Sequence, residues 1–333
     1  MADPAGTGPV APDDPLARRP LGGTGIRVPP IAVGLAPIGD MPDAFGYGVP
    51  EEQALATLRA ALASPIPYLD TAALYGDGES ERRVGIVLRE LGGLPPGAVL
   101  QTKQGRDPAT NDFSGETIER RFARSLDLLG VDRIELVFLH DPEHTTFEAA
   151  MAQGGPVDVL RGLKDQGAIG HLGVAGGPIP VELRYLETGL FDVVITHNRW
   201  TLLNRSAEPL LAAAAARGVP VLNAAPYGSG LLAKGPDSYP RYAYQPAPAE
   251  MLERVKRIDA LCADRGVPLA AAALQFSTRD PRIASTIVGM SHPERLGQTL
   301  ALLAHPIPDA LWPELDAVGF DAADPEANRW ASR

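Results

Sequence analysis

Short runs that are apolar at nearly every position alternate along the chain with longer segments whose apolar residues recur every three to four positions. The runs span residues 31–35, 66–71, 98–102, 134–139, 168–174, 191–196, 219–223 and 284–288. Such runs are expected of parallel strands covered on both faces. Between them, residues 51–63 (EEQALATLRAALA) put Ala54, Leu55, Leu58 and Leu62 on one helical face. Residues 79–91 open with Glu-Ser-Glu, acidic first-turn chemistry that suits the positive end of a helix. Residues 114–129 start at Ser114 and repeat Ile118, Phe122, Leu126 and Leu129. Helical patterns at 156–166, 181–188, 206–217, 249–265 and 292–304 continue the alternation, and 268–278 and 309–317 read as extra helices outside it. Eight such units in one stretch, with no break in composition, predict an α/β chain folded as a closed (β/α)8 TIM barrel rather than an open doubly wound sheet. Residues 20–30 (PLGGTGIRVPP) predict a short N-terminal hairpin. Residues 1–18 read as a disordered tail, 19–320 as a single barrel domain with extra C-terminal helices, and 321–333 as a C-terminal tail.

Composition narrows the picture. A length of 333 residues admits two ordinary domains or one enlarged barrel, and the alternation selects the barrel. Lys+Arg 30 against Asp+Glu 41 leaves a net charge of −11, with no basic stripe of the kind that binds nucleic acid or an anionic membrane. The one cysteine, Cys262, forbids an intramolecular disulfide, falls in a helical pattern and reads as inert packing. With no apolar leader and no run approaching the ~20 residues of a membrane span, a cytoplasmic protein is expected. Its oligomeric state stays open.

Catalytic groups of such barrels gather at the C-terminal ends of the strands. The second run ends in Asp70, with Tyr75 in the loop that follows; the third ends in Lys103 and the fourth in His140. Singly, each could be a structural ion pair or a satisfied buried polar group. A carboxylate, a phenol, an amine and an imidazole in order on neighbouring strand tips point instead to one polar site. HDPEH, residues 140–144, matches a zinc-protease spacing, but Pro142 opposes the helix that this chemistry needs, and no metal is expected. No G-x-G-x-x-G follows a strand, and Lys234 is followed by Gly235, so neither a Rossmann fingerprint nor a Walker loop is present.

The segments RPLGGTGIRV, DTAALYGDGESERRVG, TKQGR and LVFLHDPE, in that order, resemble the aldo-keto reductase superfamily, and the likeness runs from about Arg19 to Leu303. Within it, HNRWTLLN and the loop of Phe45 and Tyr47 are most similar to the aldose dehydrogenase and pyridoxal dehydrogenase branch. The resemblance implies an NAD(P)-dependent oxidoreductase that moves a hydride between nicotinamide and a small carbonyl or hydroxyl compound, plausibly an aldose (an aldose 1-dehydrogenase). It implies Tyr75 as general acid/base, Lys103 beside it lowering the cost of the phenolate, Asp70 holding Lys103, and His140 orienting the substrate oxygen. A free tyrosine ionises near ~10, so such tuning would be required.

The same resemblance implies the cofactor residues. Tyr227 would stack on the nicotinamide, and Gly228, Ser229, Gly230 and Leu231 would offer backbone amides to the pyrophosphate. Gly289, Ser291, Arg295, Gln298 and Thr299 would hold the adenosine phosphate, with a helix starting at His292. Met290 stands where relatives that favour NADP carry lysine, which leans the choice between NAD and NADP slightly to NAD. Ala175-Gly176 replaces the usual Ser-Asn pair, leaving Asn198, His197 or water to meet the carboxamide. Phe45, Tyr47 and Trp200 would wall the substrate pocket, with Tyr239, Arg241, Tyr242 and Tyr244 in a long loop nearby; each could equally be ordinary loop packing. Two other readings share the fold: a Schiff-base lyase with Lys103 as nucleophile, and a non-catalytic subunit that senses the cofactor.

Overall fold

The computed structural model describes residues 14–330. Most of the expected N-terminal tail and the last three residues of the chain lie outside these. Among the described residues, eight parallel strands close into a barrel, each hydrogen-bonded to its neighbours in chain order and the eighth to the first. They are β1 (Ile31–Gly34), β2 (Tyr68–Asp70), β3 (Val99–Gln104), β4 (Ile134–His140), β5 (Ile169–Ala175), β6 (Val193–His197), β7 (Val221–Ala224) and β8 (Ile283–Gly289). Each lies within, or overlaps, one of the eight apolar runs.

The near-continuous runs conceal an alternation that sets the site. Residues of one parity, such as Leu69, Leu100, Val137, Leu139 and Val194, pack outward in a shell with the helices. Residues of the other parity, Tyr68, Val99, Leu136, Phe138, Val193 and Ile195, fill the barrel interior. Continuing that inward parity toward the C-terminal ends leads to Asp70, Gln101, Lys103, His140 and His197. The lower barrel is therefore apolar and its upper mouth polar.

The hairpin closes the other end. Arg19–Pro20 pairs antiparallel with Arg27–Val28, and Leu21 and Val28 join the interior cluster. The Arg19 guanidinium donates to the carbonyls of Ile283 at 2.8 Å and Thr278 at 2.7 Å, tying the hairpin to β8 and the helix before it.

Around the barrel run α1 (Glu51–Leu62), α2 (Glu79–Leu91), α3 (Gly115–Leu129), α4 (Pro156–Asp165), α5 (Ile179–Glu187), α6 (Glu208–Arg217), α7 (Ala249–Ala263), α8 (Leu269–Thr278), α9 (Glu294–Ala304) and α10 (Leu311–Ala317). Ser114 caps α3 by accepting from the Thr117 amide at 3.2 Å. The sequence pattern assigned 249–265 to the alternation and 268–278 to the exterior. The structure reverses this: α8 packs on β8 and α9, while α7 lies outside, against α8 and α10. The reason is composition: α8 is apolar enough to be buried nearly all round, whereas α7 buries one stripe, Met251, Arg254, Val255, Ile258 and Cys262. The segment expected as a free C-terminal tail returns to the barrel. The Asp321 amide donates to the Leu203 carbonyl at 2.8 Å, and the Asp321 carboxylate pairs with Arg254 at 2.9 Å.

Candidate active site

Lys103 organises the mouth. Its buried ammonium donates to the Asp70 carboxylate at 2.6 Å, the Thr71 carbonyl at 2.9 Å and the Tyr75 hydroxyl at 3.0 Å. An ammonium has three protons, so all are committed. Because the Tyr75 oxygen accepts from Lys103, its own O–H points elsewhere. Asp70 also accepts from the Gln101 amide at 2.6 Å, and Gln101 in turn accepts from the Tyr68 hydroxyl. The four expected strand-tip residues are brought together: the His140 ring meets that of Tyr75 edge-on, with centroids 5.9 Å apart.

The electrostatics differ from expectation in one respect. Burial, then the negative charges of Asp70 and Asp141, push the Tyr75 hydroxyl well above the usual tyrosine range. Lys103 does not outweigh this, because its charge is bound at 2.6 Å to Asp70 and burial draws its own pKa down. Tyr75 is thus held as a protonated phenol. Burial also lowers His140 to about 4, against the pull of Asp141, so the imidazole is neutral. The Asp141 carboxylate lies 3.6 Å from Nε2. Its charge favours the tautomer with the proton on Nε2, leaving buried Nδ1 as the unprotonated nitrogen, which has no hydrogen-bond partner in the structure.

Tyr75 sits in a tight turn whose path depends on Gly76. That residue has φ +63°, and a Cβ there would fall 1.8 Å from the Gly39 carbonyl oxygen. Arg121 braces the same turn by donating to the Ala73 carbonyl at 2.9 Å, and its guanidinium pairs with Asp77 at 3.1 Å. The Thr71 and Ser80 hydroxyls meet at 2.8 Å, joining the strand end to the first turn of α2.

The expected cofactor residues are partly gathered. Tyr227 is half-buried, with a hydroxyl that has no partner among the described residues. Fully buried Asn198 accepts from the Ser229 hydroxyl at 3.1 Å, while its Nδ2 donor is also without a partner. The Gly228 and Gly230 amides already donate to the Ala225 and Tyr227 carbonyls, at 3.0 and 3.1 Å, so they do not cradle an anion. Leu231 turns its side chain into the core. Gly289, the last residue of β8, is exposed, and Met290 after it is buried. The Ser291 hydroxyl pairs with His292 Nδ1 at 2.9 Å and with Tyr47. The helix expected at His292 begins instead at Glu294, after Pro293. Arg295 and Gln298 are exposed and hydrogen-bonded at 3.1 Å, and the charge of Arg295 acts on Tyr47 and Tyr227. Thr299 is turned away, on the buried face of α9 with Leu296 and Leu303. An orphaned amide donor, an unpartnered phenol and an exposed guanidinium on one rim suit a carboxamide and an anionic phosphate, so the residues present fit a nicotinamide dinucleotide.

Phe45 and Tyr47 lie together at the mouth, ring centroids 6.0 Å apart. Trp200 does not join them. Its ring packs on Phe276 of α8 at 5.5 Å, because the chain after His197 turns outward over the helices. Tyr244 takes its place, close enough to Tyr75 to influence its ionisation and near Ser229. Tyr242 closes down on Gly228, where a Cβ would meet its ring at 2.2 Å, and its hydroxyl donates to the Asn198 carbonyl at 2.6 Å.

Sequence reasoning missed a buried cluster beside this mouth. Arg199, fully buried, donates to Glu326 at 3.0 Å and Asp324 at 2.7 Å. Glu326 also lies 3.3 Å from His197 Nε2. Glu143 accepts from the Gly177 amide at 3.0 Å, and burial, with the charge of Asp141, raises it to about 8. Only the Arg in HNRW hinted at this; its partners lie more than 120 residues away.

Comparison with known proteins agrees with this geometry. The aldo/keto reductase family model matches residues 30–319. The chain is 31% identical over 315 residues to D-threo-aldose 1-dehydrogenase from Pseudomonas sp, covering 87% of this chain and 94% of that protein. It is 30% identical over 341 residues to pyridoxal 4-dehydrogenase from Microbacterium luteolum, covering 91% and 97%. Among solved structures, an aldo-keto reductase from Bacillus halodurans in its holo form superposes with a TM-score of 0.75 at 23% identity, over 94% of this chain and 99% of that one. A polar barrel mouth built on β2, β3 and β4, a match spanning nearly the whole barrel and two dehydrogenase relatives lead to one conclusion: the chain belongs to the aldo/keto reductase family and is an NAD(P)-dependent oxidoreductase.

Proposed function

We propose that the protein is a dehydrogenase of small hydroxylated carbonyl compounds, an aldose oxidised at its anomeric carbon being the favoured substrate, with Tyr75 as the general acid/base. The observation that carries this is the Lys103 ammonium bound to both Asp70 and the Tyr75 oxygen, which aims the phenolic proton at the mouth. In this reading Tyr75 gives its proton to a carbonyl oxygen in reduction; in oxidation its proton first passes to solvent, and the phenolate so formed receives one from the substrate hydroxyl. His140, neutral and protonated on Nε2, donates a second hydrogen bond to the same oxygen and fixes its position. Asp70 and Lys103 hold the phenol and limit the cost of its ionised form during transfer. A nicotinamide, when bound, would supply the hydride chemistry.

Asn198 is the proposed partner of the carboxamide and Tyr227 of the nicotinamide face. The Ser229 and Leu231 amides, Ser291 and Arg295 are the proposed phosphate contacts. Buried Met290 brings no cation to a 2′-phosphate, which supports NAD over NADP. The dehydrogenase names of both relatives support the oxidative direction. The single cysteine suits a reducing cytoplasm, and among the described residues no helix is long and apolar enough to cross a membrane.

Tyr75→Phe should lower kcat by ~10²–10⁴, the range usual for a general acid/base. It is best measured in a screen of wild type and variant with NAD and NADP against aldoses, polyols, pyridoxal and simple aldehydes. Turnover by the variant near the wild-type rate would refute the role of Tyr75. A clear preference for pyridoxal would replace the aldose.

A further inference from the structure

One carboxylate at the mouth stands apart from the rest. Asp70 is held by Lys103 and Gln101, Asp324 and Glu326 by Arg199, Glu143 by the Gly177 amide and Glu182 by the Gly176 amide. Asp141 has no such donor among the described residues. The neutral His140 ring lies beside it with Nε2 at 3.6 Å, beyond hydrogen-bonding distance, and the Asp141 side chain keeps 26% of its exposure. An acceptor-only group left partly buried without a donor is costly unless solvent or a ligand supplies one. The backbone adds a modest cost: Asp141 sits at φ 48°, ψ 54°, in the left-handed region, which aspartate tolerates better than most side chains. Both costs fall at the residue directly after His140, where the chain leaves β4. The Asp141 charge reaches Tyr75, Lys103 and Tyr244.

We propose that Asp141 is a specificity-determining residue that accepts a hydrogen bond from a substrate hydroxyl on the carbon next to the reacting one. The assignment rests on the reading of Tyr75 and His140 as the groups that receive the reacting oxygen. An oxygen bonded to Nε2–H brings the hydroxyl of the adjoining carbon toward the Asp141 carboxylate. Only a donor satisfies that carboxylate, so a carbonyl compound with hydrogen or alkyl at the adjoining carbon leaves it unpaired. The substrate class selected is thus the α-hydroxy carbonyl and its hemiacetal form, and a carboxylate at that position is repelled.

The test compares kcat/KM within matched pairs, using the full chain: an aldose against its 2-deoxy analogue, and glyceraldehyde against propanal. A hydrogen bond to a charged acceptor predicts a wild-type preference of about 10- to 100-fold for the hydroxylated member. Asp141→Asn keeps a side chain tolerated at positive φ and removes the charge; Asp141→Gly removes the carboxylate and relieves the backbone. Both should bring the ratio toward one. General damage to folding or cofactor binding lowers both members alike and leaves the ratio standing, which overturns the assignment. A wild-type ratio near one does so as well. If no aldose is oxidised while the glyceraldehyde preference exists and is erased in both variants, the aldose reading falls and Asp141 keeps its role. If aldoses are oxidised without a preference over their deoxy analogues, the reverse holds.

Discussion

The Lys103 ammonium commits its three protons to Asp70, Thr71 and Tyr75, and this local count orients the phenol more firmly than any pKa shift. Tyr75 is kept protonated and His140 neutral, the latter with a pKa of about 4 against an ordinary 6.5. The profile of kcat/KM for reduction should therefore pass through pH 6.5 without an inflection from His140. An inflection there that disappears in His140→Gln would contradict this. The sign for stability follows from the same residue. Between about 4 and 6.5 the unfolded chain takes up a proton that the native His140 does not, so the contribution to stability rises with pH across that window and is lost as pH falls.

At the scale of elements, the strands deliver polar groups by parity, and the loops refine their placement by close backbone approach. The turn carrying Tyr75 shows this. Gly76 has a positive φ and no room for a Cβ, so Gly76→Ala must move either the turn or Gly39. We expect it to lower kcat by at least ~10-fold, given the sensitivity of catalysis to small displacements of a positioned group, while the Kd for the dinucleotide, whose proposed contacts lie on other loops, changes little. Fluorescence titration of cofactor beside steady-state kinetics would separate the two. Unchanged kcat would show that the turn tolerates the shift. The reversal of α7 and α8 belongs to this scale too. Helical periodicity located both helices, but which one touches the barrel depends on how much of its circumference is apolar.

Across the whole molecule, distant segments meet over the mouth. Arg199, in the loop after β6, is buried with Asp324 and Glu326 from the chain end, beside His197. Breaking such a pair leaves an uncompensated buried charge, so Arg199→Met should destabilise the protein by about 3–5 kcal/mol, read as a lowered denaturation midpoint at neutral pH. An unchanged midpoint would mean that Glu326 takes up a proton or water at no cost. The net charge of −11 also acts at this scale. With the proposed contacts such as Arg295, an anionic cofactor would be drawn in by local donors against the field of the whole protein, so salt should assist rather than weaken its approach.

The barrel and its four strand-tip groups were legible in the chain before any coordinates. Both depend on local signals: apolar runs of strand length, amphipathic segments between them, and short motifs whose spacing survives folding. Tertiary structure alone decided the pairing of Arg199 with a segment expected to be a tail, the departure of Trp200 to the helix layer, the substitution of Tyr244 at the mouth and the burial of Thr299. It also isolated Asp141, since a lone carboxylate is recognised only when every neighbouring acid has been matched to its donor. These features depend on which surfaces meet after the barrel closes, and a buried charge or an outward-turned ring is a property of that meeting rather than of any stretch of chain.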